Sequence, residues 1–331
     1  MEVQPLCDRI TNFSVRDVLK IIVYIAGVVL LGALLAPLLF WGAHALEPMA
    51  LANGWLKFDA FENQVLPRGP LAFLSADFRK FFDRGIMIAA LLLLRPMATW
   101  TEVHGWEDLQ LRPDPRRWGH FWRGLLVGGG FVAVLAAVYV FMQYYEVKLQ
   151  PPWGVLPKIA LTALTVAALE ELIFRGAIMG LLLGKMRPSG AILWTTLIFA
   201  VIHFLKPDPS VVVDHVHWYS AFPLIPRVFH PFVDPAALVG NLTTLLVLGW
   251  LLAFVRWRTH SLWMGIGVHS GVVFVKMSFA KLATHQVSLP PWVGTELQTG
   301  LIPVIVLLLA LLILRRRLEY EELLPNPRRR K

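Results

Sequence analysis

The sequence predicts an all-α fold: a polytopic membrane helix bundle of about eight transmembrane helices, with both termini cytoplasmic. Three observations carry that reading. The 331 residues are 56% hydrophobic and only 16% charged, whereas soluble domains carry about 25% charged residues. Apolar runs near 20 residues recur along the chain, the length that crosses a hydrocarbon core of about 30 Å. Thirteen Trp suit the membrane–water interfaces, where amphipathic rings accumulate. The net charge of +9 raises nucleic acid as a partner. Basic residues that hold cytoplasmic loops in place explain it better, so no nucleic-acid partner is expected. The single cysteine, Cys7, excludes an intramolecular disulfide and a cysteine-based zinc cluster.

The spans fall at 21–44, 81–100, 121–144, 157–184, 189–205, 236–255, 261–280 and 300–314. The first ends near "AHA" at 43–45, a small-x-small pattern like a signal cleavage site. Its apolar stretch exceeds the usual h-region of about 7–15 residues, so it reads as a span. The second, "GIMIAALLLL", is short and closed by Arg95-Pro96. The fourth is long and interrupted by charges. The last is short and is expected to begin earlier, near Trp292. Residues 45–80 are mixed and suit an interfacial turn of helix. Residues 206–235, rich in Pro, His and aromatics, suit an irregular lid on the membrane surface.

Lys and Arg placement sets the orientation. With both termini inside, 19 of the 31 basic residues fall in inside segments and 10 in outside ones. Arg256 and Arg258 count among the inside residues, while Arg175 and Lys276 lie within spans. The chain divides into an N-terminal membrane region with three spans (1–154), a core (155–280), and a last span with a basic cytoplasmic tail (281–331). The expected location is multi-pass in a bacterial-type cell membrane, with the lipid bilayer itself as a partner.

"AALEELIFRGAIM" at 168–180 places Glu170, Glu171 and Arg175 inside an apolar run. A charge at the centre of a spanning helix costs about 2.5–3.5 kcal/mol on insertion scales. Glu171 and Arg175 are four apart, share a helical face and can compensate each other. Glu170 points elsewhere and needs another partner; an intramembrane carboxylate without one is a functional candidate. Two other spans carry histidines inside apolar runs, His203 in "FAVIHF" and His269 in "SLWMGIGVH". One carboxylate and two imidazoles suffice to bind and deprotonate a water. The same three residues are also a candidate His₂Glu set for a divalent metal such as zinc, although the spacing is not H-E-x-x-H. On the residues alone both possibilities stay open. His215, His217 and His230 in the outer loop, His260 at a span boundary, and His44, His104, His120 and His285 near span ends read as interfacial or solvated. Asp214, His215 and His217 are a weaker surface metal candidate.

Glu170-Glu171-x-x-x-Arg175, then Phe199-x-x-x-His203, then "SLWMGIGVH" ending in His269, resemble the CAAX-protease and bacteriocin-processing (CPBP, or ABI) family of intramembrane proteases. The likeness covers roughly residues 155–280, which it marks as the catalytic core. It implies a bundle of eight helices in which Glu170 activates the attacking water with the help of His203. His269 would stabilise the oxyanion, and Glu171 and Arg175, with Phe199, would support the site. One departure matters. The family usually has Asn or Asp four residues after the last His, and here that position is Val273. Loss of one oxyanion donor costs about 10²–10³ in rate. Asn241, on the sixth span, is a candidate substitute. With Val273 in place of a possible fourth polar group, the likeness tips the metal question towards a reaction without metal.

The function expected is therefore an intramembrane endopeptidase that hydrolyses a peptide bond of a membrane-associated protein or peptide, in CAAX-type or precursor processing. Two other classes fit the same residues. One is a catalytically silent scaffold on the same fold, for which Val273 argues. The other is a proton-coupled transporter, since intramembrane Glu, His and Arg also build proton relays. Against the latter, the sequence shows no paired broken helices in two halves.

Overall fold

The computed structural model describes residues 15–323, apart from 62–63, 70, 102, 104, 110, 112, 206–209, 214 and 234–237. His104, Arg112 and Asp214, and the basic residues before 15 and after 323, lie outside the described residues. The chain forms two compact units, Ser14–Glu102 with Leu205–Pro231, and Val103–Phe204 with Phe232–Lys331.

In the first of these, α1 (Val15–Ala52) runs far beyond the expected 21–44, through Pro37, Pro48 and the "AHA" stretch. Residues 57–68 form the hairpin β1 (Lys57–Phe61) and β2 (Gln64–Arg68) rather than an interfacial helical turn. The helix α2 (Phe78–Trp100) continues past Pro96. It lies antiparallel to α1: Tyr24 donates to the Ala90 carbonyl at 2.8 Å, and Lys20 Nζ to that of Trp100 at 3.1 Å. A single helical turn, Leu224–Arg227, packs Leu224 against Ala33, Phe78 and Phe82.

The second unit carries the expected polar residues. It holds α3 (Arg117–Phe141), β3 (Tyr145–Val147) and α4 (Leu156–Glu171). A π-helical segment (Leu172–Ile178) joins α4 to α5 (Met179–Leu183). Then come α6 (Pro188–Phe204), a π-helical turn (Leu238–Leu242), α7 (Thr243–Thr259), α8 (Trp263–Leu282), β4 (Ala283–His285) and α9 (Leu301–Leu323). Each expected span overlaps helix among the described residues, and residues 236–237 of the sixth lie outside them. Four helices are individually long and apolar enough to cross a membrane among the described residues: Arg16–Ala52, Arg117–Phe141, Gly240–Thr259 and Trp263–Leu282. The last helix begins at Leu301, not near Trp292.

The tightest packing in this unit is between α3 and α8. Without a hydrophobic driving force between helices in lipid, close backbone approach through small residues is the main source of association. Both helices carry Gly-x-x-x-Gly, at Gly124/Gly128 and Gly267/Gly271. A Cβ on Gly267 would lie 2.1 Å from the Phe121 carbonyl oxygen, and one on Gly128 2.3 Å from that of Val268. The successive pairs, Gly124 with Met264, Gly128 with Val268 and Gly129 with Gly271, make the two helices parallel.

Both ends of this pair are tied. At the start, Asp114 Oδ2 accepts from Ser261 Oγ and from His120 Nδ1, each at 2.7 Å, and Oδ1 accepts from the Arg116 amide. Burial raises the Asp114 carboxyl, but these hydrogen bonds and the neighbouring His120 outweigh it and hold it below its ordinary range. His120 is therefore buried and partnered rather than solvated. At the far end, β3 and β4 pair antiparallel, Tyr145 opposite His285. Because β4 follows α8 directly and α4 begins soon after β3, α4 runs antiparallel to α8.

Gly267→Ala should lower stability by about 1–3 kcal/mol, the cost of forced overpacking. Gly130→Ala, whose Cβ meets nothing within 4 Å, should not. Equilibrium unfolding in detergent micelles measures both.

Candidate functional site

The sequence of α4 prepares one face for α8. Ile159, Ala163, Ala167 and Glu171 recur every four residues and are buried, so small side chains lead to a carboxylate at the helix contact. Glu170 is one residue off that line and stays partly open, its side chain 16% exposed. After Glu171 the helix widens into the π segment, a geometry frequent at functional sites.

Arg175 and Glu171 are both fully buried. Arg175 Nη1 donates to Glu171 Oε1 at 3.0 Å, and Nη2 to the Gly249 carbonyl on α7 at 3.2 Å. The guanidinium carbon lies 4.2 Å from the centre of the Phe199 ring, within cation–π range. His269 Nδ1 donates to the same Glu171 oxygen at 3.0 Å. One carboxylate oxygen thus joins the π segment to α8, and one guanidinium joins it to α7. Phe199 sits between Arg175 and His203, its ring 4.0 Å from the imidazole, centre to centre.

Glu170 Oε2 lies 2.8 Å from His203 Nε2 and 3.6 Å from His269 Nε2. The partners of the other ring nitrogens fix the tautomers. His203 Nδ1 faces the Phe199 carbonyl at 2.9 Å, and His269 Nδ1 faces Glu171. Both partners only accept, so both Nδ1 atoms carry hydrogen. Each neutral imidazole would then present a lone pair at Nε2 to the carboxylate of Glu170. The 2.8 Å contact therefore requires a proton between Glu170 and His203. Charge balance agrees: two carboxylates and one guanidinium leave a net negative charge that one shared proton neutralises.

The donors have the chemistry of a metal site, including second-shell acceptors at both Nδ1 atoms. Their spacing differs. Ligands at about 2.0–2.1 Å from a tetrahedral zinc stand about 3.3 Å apart, and Glu170 and His203 are already in direct hydrogen-bond contact. No group of three or more His, Cys, Asp or Glu among the described residues is arranged to hold an ion.

The structure thus brings Glu170, Glu171, Arg175, Phe199, His203 and His269 together. Asn241 lies in the π-helical turn before α7, and its Oδ1 is buried without a hydrogen-bond partner among the described residues. It takes no part in the hydrogen bonds described above. Val273 follows His269 by one turn of α8.

Sequence reasoning missed Arg256, placing it in an inside loop. It is fully buried within α7. Its Nε donates to the carbonyl of Arg175 at 3.2 Å, and its Nη2 to that of Leu109 at 2.7 Å. Arg256 follows Gly249 by two turns on one face of α7. The two arginines therefore clasp the π segment to α7 from opposite directions. The signal was that seven-residue spacing.

Arg175→Met should destabilise the protein by about 3–5 kcal/mol, because it leaves Glu171 buried and uncompensated. The double variant Glu171→Gln, Arg175→Met should lose less than the sum of the two single changes. Unfolding in micelles of all three variants checks this.

Comparison with known protein families finds a match. It is to the family described as type II CAAX prenyl endopeptidase Rce1-like, over residues 152–275, somewhat more than a third of the chain. No curated protein and no solved structure matches. The matched stretch carries Glu170, His203 and His269, and the match agrees with the family that the motifs resemble.

Proposed function

We propose that this chain is an intramembrane endopeptidase that hydrolyses a peptide bond of a membrane-associated, CAAX-type protein or peptide with a water activated by Glu170 and His203. The observation that carries the reading is the convergence of two Nε2 atoms on Glu170 Oε2, at 2.8 and 3.6 Å. A water bound between Glu170 and the scissile carbonyl gives a proton to the carboxylate as its oxygen attacks the carbonyl carbon. The proton shared with His203 leaves the imidazole positively charged beside the developing oxyanion. As the carbon–nitrogen bond breaks, Glu170 returns the proton to the leaving nitrogen. His269, whose Nε2 holds a lone pair in this tautomer, accepts the second hydrogen of the attacking water rather than donating to the oxyanion. Glu171, held by Arg175, fixes the ring of His269 through Nδ1 and keeps Nε2 aimed at the reaction. No step is routed through a metal.

The same reading takes the chain as eight spans with both ends inside a bacterial-type cell membrane. The parallel packing of α3 and α8 supports it, since a third and a seventh crossing run in the same direction.

A second reading has one observation in its favour. Val273 provides no donor where an Asn would lie one turn beyond His269, which favours a silent scaffold on the same fold.

Glu170→Gln and His203→Ala should each reduce cleavage of a prenylated reporter peptide by about 10²–10⁴-fold with membrane insertion intact. Wild-type rates in Glu170→Gln would exclude the base assigned here. Val273→Asn should raise kcat by up to about 10²-fold if a donor is restored. If the wild type cleaves nothing and Val273→Asn does, the silent reading holds.

A further inference from the structure

The carbonyl of Arg175 stands where the helix that carries Glu170 and Glu171 changes its winding. In the π segment the Met179 amide reaches back five residues, to the carbonyl of Phe174. By the end of α5 the step is four residues again, with the Gly184 amide on the Gly180 carbonyl at 3.2 Å. A return from five to four passes over one carbonyl, and after Phe174 the carbonyl passed over is that of Arg175. A buried carbonyl without a donor is costly, so the π geometry needs a partner from outside the helix. Arg256 Nε supplies it at 3.2 Å.

The helix α7 therefore holds Arg175 at both ends. Its main chain is anchored by Arg256, and its guanidinium by the Gly249 carbonyl, to which Nη2 donates at 3.2 Å. The two anchors are seven residues apart on α7, a rise of about 10 Å, so Arg175 lies along that helix with neither end free. This direction places Nη1 on Glu171 Oε1 at 3.0 Å, and the same oxygen takes the hydrogen of His269 Nδ1 at 3.0 Å. Arg256 is itself clamped. Its Nη2 donates to the Leu109 carbonyl at 2.7 Å, and a Cβ on Gly180 would lie 2.7 Å from that same oxygen. Main chain from the segment before α3 is thus wedged between Arg256 and the first turn of α5.

Packing alone does not call for this residue. Arg256 is wholly buried, its two hydrogen bonds run to carbonyls rather than to a carboxylate, and its Nη1 is buried without a hydrogen-bond partner among the described residues. A buried charge is expensive, and well-packed apolar side chains of similar volume often replace such groups without loss of stability. An apolar side chain cannot donate to the carbonyl at which the π winding ends. We infer that Arg256 is a positioning residue for the hydrolytic site. It holds the π register that aims Arg175 at Glu171, and through Glu171 it sets the ring of His269. The effect on turnover rests on the endopeptidase reading above; the effect on geometry does not.

The test joins a geometric readout to kinetics, on the full chain in phosphatidylcholine bilayers. With ¹³C-labelled Glu and ¹⁵N-labelled Arg and His, solid-state NMR reads the dipolar couplings of the Glu171 carboxyl carbon to Arg175 Nη1 and to His269 Nδ1. Arg256→Met removes every donor, and Arg256→Gln is too short to reach both carbonyls. Each should weaken both couplings, so the result can be read from either variant alone. Arg256→Lys keeps a donor close to the Arg175 carbonyl and should restore the couplings in part. Thr259→Val removes the hydrogen bonds from Thr259 Oγ1 to the Val255 and Ser261 carbonyls at the same end of α7, and should leave the couplings and the rate unchanged. Cleavage of the prenylated reporter peptide should show kcat lowered by about 10–100-fold in Arg256→Met with KM within about twofold, the pattern of a misplaced reacting group rather than a lost binding contact. Unchanged couplings in Arg256→Met and Arg256→Gln, an equal loss in Thr259→Val, or weakened couplings with a wild-type kcat overturns the assignment. If the wild type cleaves nothing while the couplings respond to residue 256, the endopeptidase reading fails and the hold of Arg256 on Arg175 stands.

Discussion

The buried pair of Glu171 and Arg175 is the constraint on which the rest of the site depends. Both side chains are wholly removed from solvent, where an isolated charge would be prohibitive. Compensation within the pair removes most of that cost, and further hydrogen bonds satisfy the remaining partners. Those bonds are what organise the unit. Glu171 fixes the orientation of His269, and Arg175 takes a carbonyl of α7 and stacks on Phe199. Phe199 in turn contacts His203. The pair thus positions two imidazoles from separate helices around Glu170, which is left partly open and free to exchange a proton.

Backbone contact supplies the frame that the polar bonds need. The glycines of α3 and α8 allow their main chains to meet, so His269 has little freedom to move along the helix axis. Asp114 and Ser261 close one end of this pair, and β3 with β4 closes the other. Arg256 adds a second clasp on the π segment from α7. Rigid supports of this kind matter because a displacement of about 1 Å at a reacting group is enough to cost orders of magnitude in rate.

Much of this was legible in the sequence, and the parts that were not have physical causes. Each expected span overlaps helix among the described residues, because apolar length is a strong signal. The Glu171–Arg175 pair followed from four-residue spacing alone. The partners of Glu170 were only candidates: His203 and His269 are 33 and 99 positions away, singled out as polar groups inside apolar runs, and no local spacing showed that they meet it. Arg256 and His120 were misread for a common reason. A polar residue near the end of an apolar run looks like an interfacial one, yet both are buried, Arg256 against the distant carbonyl of Leu109 and His120 against Asp114 just before its helix. The hairpin at 57–68 was hidden because its strands lack a clear alternation of apolar and polar residues. The two Gly-x-x-x-Gly patterns were present but unused, and they would have pointed to the contact between α3 and α8.

The most direct measurement is solid-state NMR of the protein in lipid bilayers, with ¹³C-labelled Glu and ¹⁵N-labelled His. It reads the dipolar coupling between the Glu170 carboxyl carbon and the Nε2 atoms of His203 and His269, with variants at each position for assignment. Strong coupling to His203, as an Oε2–Nε2 separation of 2.8 Å requires, and weaker coupling to His269 are the predicted result. A Glu170 carboxyl with no coupling to either ring would contradict the shared-proton site and the chemistry built on it.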